Sequence, residues 1–206
     1  MKIPGDKEIR ALHEKHAPSP QAFELVYTHC EIVYDIAGQL LSRAAPGLDA
    51  DLIRAGSLLH DIGVYRLYDV GGRLDHSRYI QHGLLGHELL SEEGLPEVIA
   101  RFCSHHTGVG LSREDVRNQG LPLPVADYLA ESDEELLVMY ADKFHSKTEP
   151  PTFVTAESYT VSIRKFGEEK EAAFEAMHKR FGNPDLVPLA ASYGHPVAAT
   201  KVTARQ

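Results

Sequence analysis

An apolar repeat at helical spacing runs through most of this chain, and it constrains the fold more than any other feature. In "SPQAFELVYTHCEIVYDIAGQLLSRAAPG", Phe23, Val26, Ile32, Val33, Ile36 and Leu40 recur with the period of a helix face, and a Pro-Gly break closes the run. "DADLIRAGSLLHD" reads as a shorter helix with Asp49 or Asp51 as its cap. "YIQHGLLGHELLSEEG" and "LPEVIARFCSHHTG" are two more, each ended by glycine. "VGGRLDHSR" reads as a loop, and residues 109–132 as a Pro- and Gly-punctuated connection with about one helical turn. "DEELLVMYADKFHSK" has acidic residues in its first turn and lysines near its end, as a helix dipole favours. A further helix is predicted from Phe153 to Phe181, kinked near Gly167, and the tail after Tyr193 is expected to fray. No run alternates at period two, so the predicted class is all-α.

The twelve histidines give that bundle its chemical interest. In "LLHDIG", His60 and Asp61 sit inside an apolar stretch, where two ionisable groups are costly unless something satisfies them. Further ligand-type residues fall on other predicted helices: His29, His82, the pair His105 and His106, and Asp142. A bundle converges side chains from several helices on one core site. Imidazole with carboxylate suits iron, manganese or zinc better than calcium. His82 and His87 are about 140° apart on a helix, so both cannot face one point. Gly86 shares the face of His82 and allows close helix approach, which favours His82 and leaves His87 peripheral. His105 and His106 diverge by about 100° on a regular helix, but Thr107-Gly108 marks an end where either ring can turn inward.

The ordered set His29, His60-Asp61, His82, "SHHTGVGLS" and Asp142 resembles the HD superfamily of metal-dependent phosphohydrolases, in its HDIG-type small-protein branch. The resemblance covers roughly residues 20–145. It implies a helical HD domain over 20–148, and the residues outside it read as an N-terminal helix over 1–19 and a C-terminal helical extension over 149–206 packed on the same domain. It also implies two divalent transition metals (iron, manganese or zinc). By position, His29, His60, Asp61 and Asp142 would hold the first. Asp61 would bridge to a second, held by His82 and by His105 or His106, and would act as the catalytic base or orienter of a water. Many relatives carry lysine three residues after the HD aspartate, where this chain has Val64. Arg66 lies near and is a candidate for the substrate's phosphate, as is His145, three residues after Asp142.

Bulk properties bound the function. With 206 residues, 43% hydrophobic and 25% charged, the chain suits one globular domain. A net charge of -9 argues against nucleic acid as a partner, since phosphate tracking needs a basic face. An anionic substrate would then need local positive charge, which bound metal supplies. Cys30 and Cys103 form no CxxC pair, which fits a reducing compartment. The start lacks an apolar leader and no stretch reaches membrane-spanning length, so the expectation is a cytoplasmic protein without a membrane partner.

The implied activity is hydrolysis of a phosphoester or phosphoanhydride in a small phosphorylated compound, with nucleotides the usual substrates. Two other readings share the ligand set: an HD-fold di-iron oxygenase and a binding domain that has lost activity. Several residues carry a plainer reading. His13 and His16 in "HEKH" lack zincin spacing and read as a solvated helix face. Cys30 reads as a small buried hydrophobe, and His76, His178 and His195 as surface residues.

Overall fold

A long helix with one apolar face needs partners on that face, and the architecture is built around this requirement. The computed structural model describes residues 2–45 and 47–198. The second helix, α2 (Pro20–Ala44), buries Val26, Ile32, Val33, Ile36, Ala37 and Leu40, with Ser19 capping its start at Ala22 N (3.1 Å). Before it comes α1 (Asp6–His16), and after it α3 (Ala50–Leu59), capped by Asp49. The chain then makes 3-10 turns over Ile62–Leu67 and His76–Gln81. The next helices are α4 (His82–Glu92), α5 (Glu97–Ser104), α6 (Arg113–Asn118) and α7 (Asp133–Asp142). Helices α2, α3, α5 and α7 pack on one another, and α4 packs on α5 and on the first 3-10 turn. The fold is all-α as predicted, apart from one two-stranded antiparallel ribbon among the described residues, β1 (His145–Ser146) with β2 (Thr152–Phe153).

The second half departs from the sequence expectation in three places. The helix expected to run through Lys147 ends at Asp142, and the chain turns at Phe144 into β1. The helix expected over Phe153–Phe181 is two helices, α8 (Ala156–Ile163) and α9 (Glu168–Phe181). Gly167 separates them with φ +114°, a conformation that breaks the helix instead of kinking it. Beyond α10 (Leu186–Tyr193), the segment expected to fray is tied down as far as Ala198. Phe153 N donates to Pro196 O (2.8 Å) and Ala198 N donates to Phe153 O (2.7 Å). A short edge strand leaves its backbone groups open, and this segment satisfies them.

One apolar core includes residues from both ends of the chain. Ile9 of α1 and Phe174, Met177 and Phe181 of α9 belong to the same buried cluster as α2, α3 and α7. His13 differs from its expected solvated position. It lies on the Ile9 face of α1 and is fully buried, its ring nitrogens bonded to Tyr65 Oη (2.8 Å) and Leu58 O (2.7 Å). His16 stays near the surface, paired with Glu93.

Candidate metal centre

Five ligand-type side chains, His29, His60, His82, His106 and Asp142, meet around Asp61. His60 caps the end of α3, and Asp61 (φ -108°, ψ 7°) turns the chain into the 3-10 segment. That segment crosses α4 closely because neither Gly63 nor Gly86 has a side chain. A Cβ on Gly63 would collide with the backbone of His82 and Gly86. A Cβ on Gly86 would stand 2.9 Å from Cys103 Cβ. The glycines therefore bring His82, the first residue of α4, up to Asp61. His29 comes from the middle of α2, and Asp142 is the last residue of α7.

The first group comprises His29, His60, Asp61 and Asp142, whose ligand atoms all lie within 4.8 Å of one another. His29 Nε2 stands 3.0 Å from Asp142 Oδ1, 3.1 Å from Asp61 Oδ2 and 3.3 Å from His60 Nε2. His60 Nδ1 donates to Ser57 O (2.7 Å), which turns Nε2 toward both carboxylates at 3.5 Å. The second group comprises Asp61, His82 and His106, and it uses the other oxygen of the aspartate. His82 Nε2 is 3.4 Å and His106 Nε2 3.7 Å from Asp61 Oδ1. Asp61 thus presents one oxygen to each group.

Helix termination sorts the adjacent histidines. His105 closes α5 with φ -107° and ψ 9°, outside helical geometry, so the next residue can turn inward. His106 faces Asp61, while His105 Nδ1 lies 3.6 Å from Glu135 Oε2 and its ring meets Tyr128 edge-on. His105 is therefore not brought to the cluster. His87 is also outside, bonded to Ser104 Oγ (2.9 Å) and beside Glu97. Arg66, a candidate for substrate binding, is turned away by the 3-10 segment and pairs with Glu92 instead.

The donor set fits a cation. His82 Nδ1 donates to Tyr79 O (2.6 Å) and His106 Nδ1 to Phe102 O (3.0 Å), which leaves a lone pair on each Nε2. Burial holds His82 below the ordinary imidazole range. Burial, with His60 close by, holds His106 well below it, so both rings are neutral. Their Nε2 atoms nevertheless face each other at 2.9 Å. Beside them Asp61 Oδ1 is buried without a hydrogen-bond partner. Three acceptors pointing at one place could hold a metal ion.

Two lysines that the sequence reading passed over complete the electrostatics. Lys143 Nζ donates to Asp142 Oδ2 (2.6 Å) and His106 O (2.9 Å), tying the two groups together. Lys147 Nζ contacts Asp61 Oδ2. Burial opposes charge on Asp61, but Lys147 and His60 outweigh it and hold the carboxyl well below its usual range. For Asp142 burial is likewise outweighed, chiefly by Lys143, with the same result. His145 is also at the site. Its Nδ1 meets His29 Nδ1 (2.8 Å), and burial pushes it down to about 2, so the ring is neutral. Asp61, His82, His106, Asp142, both lysines and His145 line a cavity of about 630 Å³, with Tyr79, Ile80, Leu74 and Tyr159 on its walls. His76, expected at the surface, lines it too.

The chain is 34% identical over 128 residues to a tRNA (cytidine(56)-2'-O)-methyltransferase of Picrophilus torridus, a match spanning 62% of this chain and 33% of that protein. It is 35% identical over 122 residues to an uncharacterised protein of Methanocaldococcus jannaschii, spanning 58% of this chain and 65% of that one. The chain thus spans a third of one relative and just under two thirds of the other. Its fold is similar to the HD domain of the phosphodiesterase PgpH of L. monocytogenes, with a TM-score of 0.51 at 16% identity over 91% of this chain and 99% of that one. The same domain in complex with cyclic-di-AMP gives 0.50 at 17% identity, over 93% and 99%. No helix among the described residues is long and apolar enough to cross a membrane. The family model for the HD domain matches residues 26–147, a stretch that contains every residue gathered around Asp61, and the chain therefore belongs to the HD domain family.

Proposed function

We propose that this protein is a metal-dependent phosphohydrolase acting on a small phosphorylated compound, with a nucleotide as the favoured class. The observation that carries the reading is the placement of Asp61, one oxygen toward His29 and His60 and the other toward His82 and His106, at the floor of a lysine-bearing cavity. His29, His60, Asp61 and Asp142 would hold one metal, and Asp61, His82 and His106 a second. Two bound metals would supply an acidified water and Lewis-acid polarisation of phosphoryl oxygens.

The chain's own residues do the rest. Asp61, held ionised with one oxygen toward each group, orients the attacking water between them. Lys143 keeps Asp142 ionised and fixes the backbone of His106, so both groups hold their spacing. Lys147, the residue after β1, reaches Asp61 on a flexible four-carbon side chain and is placed to exchange Asp61 for a substrate phosphate oxygen. These two lysines supply the local positive charge that a chain of net charge -9 needs for an anionic substrate. Tyr79 and Tyr159 offer aromatic walls for the organic part of the substrate. The PgpH domain solved with cyclic-di-AMP supports a phosphorylated ligand of this kind. The methyltransferase name belongs to relatives three times the matched length, and no methyl-transfer role is assigned to this chain.

The test is a screen for phosphate release from nucleotides and sugar phosphates, run with manganese, iron, zinc and no added metal. Metal-supported release that is lost in Asp61→Ala is expected. No release under any metal, with dioxygen consumption by the iron-loaded protein, would replace the hydrolase reading with an oxygenase one.

A further inference from the structure

The C-terminal segment reaches the metal site through a line of histidine rings. His29 Nδ1 meets His145 Nδ1 at 2.8 Å, and His145 Nε2 meets His195 Nδ1 at 3.0 Å. The rings stack, with interplanar angles of 29° and 18°. Phe153 packs edge-on against His145, and His145 is 5% exposed. His195 is held there by its backbone. The segment pairs with Phe153 on both sides of Val197, and Tyr193 Oη donates to Asp35 Oδ2 (2.8 Å), fastening the end of α10 to α2. This segment lies beyond the stretch matched by the HD domain family.

The direction of the hydrogen bonds follows from one requirement. His29 Nε2 faces Asp61, Asp142 and His60, so a metal-binding His29 must keep its lone pair on Nε2 and its proton on Nδ1. That proton is donated to His145 Nδ1. His145 then carries its own proton on Nε2 and donates it to His195 Nδ1, which must be an acceptor. Each ring sets the tautomer of the one before it. Without an acceptor at position 195, the buried Nε2–H of His145 loses its partner, and the opposite tautomer of His145 would set two N–H groups against each other at His29.

We propose that His195 is a positioning residue for the first metal site, acting through His145 to hold His29 in its metal-binding tautomer and orientation. This rests on the reading of His29 as a ligand given above. Partners that orient a ligating imidazole are worth about 10–100-fold in metal affinity, and His195 stands one ring further out, so about tenfold is expected.

The experiment is a cobalt(II) titration, in competition with a chelator, of wild-type protein, His195→Ala and His195→Asn. The asparagine side-chain carbonyl can take the place of Nδ1 as acceptor. Ring-nitrogen NMR of histidine-labelled protein loaded with diamagnetic zinc accompanies it. The expected result is that His195→Ala weakens one cobalt site about tenfold and leaves the other unchanged, while His195→Asn restores the lost affinity. His145 should show its proton on Nε2 in the wild type. Equal cobalt affinity in wild type and His195→Ala would overturn the proposal, as would an asparagine variant no better than alanine. A proton on His145 Nδ1 would do the same. If wild-type protein takes up no cobalt, the metal-site reading fails and this proposal falls with it, an outcome distinct from intact binding that ignores position 195.

Discussion

Replacing Lys147 by methionine should strengthen metal binding and weaken catalysis together. The ammonium contacts Asp61 Oδ2, the oxygen that also stands 3.1 Å from His29 Nε2, and its side chain is 13% exposed. A cation entering the first group has to share that oxygen. Two unit positive charges about 4 Å apart repel by about 4 kcal/mol at an effective dielectric constant near 20, so the ammonium must leave the carboxylate as the metal enters. Methionine keeps an apolar stem of similar length and removes the competing charge. Metal affinity at that site should rise at least about tenfold, which needs only a third of that repulsion. In the wild type the released ammonium is free to meet a substrate phosphate. A hydrogen bond to a charged group contributes about 1.5–3 kcal/mol, so kcat/KM at saturating metal should fall about 10- to 150-fold in Lys147→Met. Chelator-competition titration and steady-state phosphate release measure the two effects separately. Weaker metal binding in the variant, or an unchanged kcat/KM, would refute the exchange of partners assigned to Lys147.

Asp61→Ala should empty both metal groups, His82→Ala and His106→Ala should empty one, and His105→Ala neither, as read by metal content of variants that retain their helical circular dichroism. Loss of occupancy in His105→Ala equal to that in His106→Ala would contradict the orientation of the pair. Stability should fall on acidification through a window to which His13 contributes, since burial holds it at about 4 against an ordinary 6.5. Between those values the unfolded chain binds a proton that the folded chain excludes, so stability rises with pH across the window. The gap is worth on the order of 3 kcal/mol. His82, His106 and His145 are also held neutral by burial and add to the slope, so urea unfolding should show it reduced by about one proton in His13→Phe, and equal slopes in the two proteins would rule out the assignment. Gly63→Ala should abolish the site or the fold, because its Cβ meets the backbone of His82 and Gly86 and no side-chain motion can relieve that. A variant with normal metal content and stability would contradict the close crossing.

What could be read from the sequence, and what could not, divides by the range of the interactions involved. His29, His60, Asp61, His82 and Asp142 were legible because each is a polar residue on a helix whose apolar spacing announces burial. His106 could be narrowed only to a pair, since the choice depends on the backbone angles of His105 at the end of α5. Lys143 and Lys147 were passed over as a basic helix terminus. Their role depends on the chain leaving the helix at Asp142 and folding back as β1, which no periodicity marks. Lysines one and five residues after a ligand aspartate were the available signal. Arg66 was placed by sequence proximity, and the 3-10 turn carries it to Glu92. His195 was out of reach for a different reason, because two backbone hydrogen bonds to Phe153, more than forty residues away, position it. His13 was misjudged although Ile9, four residues earlier, shares its face, a spacing that pointed to burial.

Two ions sharing Asp61 would be visible in the metal content of the protein and in the positions of the ions. Protein purified without chelators, and the same protein after soaking with manganese, should be measured by elemental analysis and by anomalous diffraction at the metal edge. Two ions should appear on either side of Asp61, one touched by His29, His60 and Asp142 and the other by His82 and His106. A protein that takes up no metal, or an ion bound without Asp61, would contradict it.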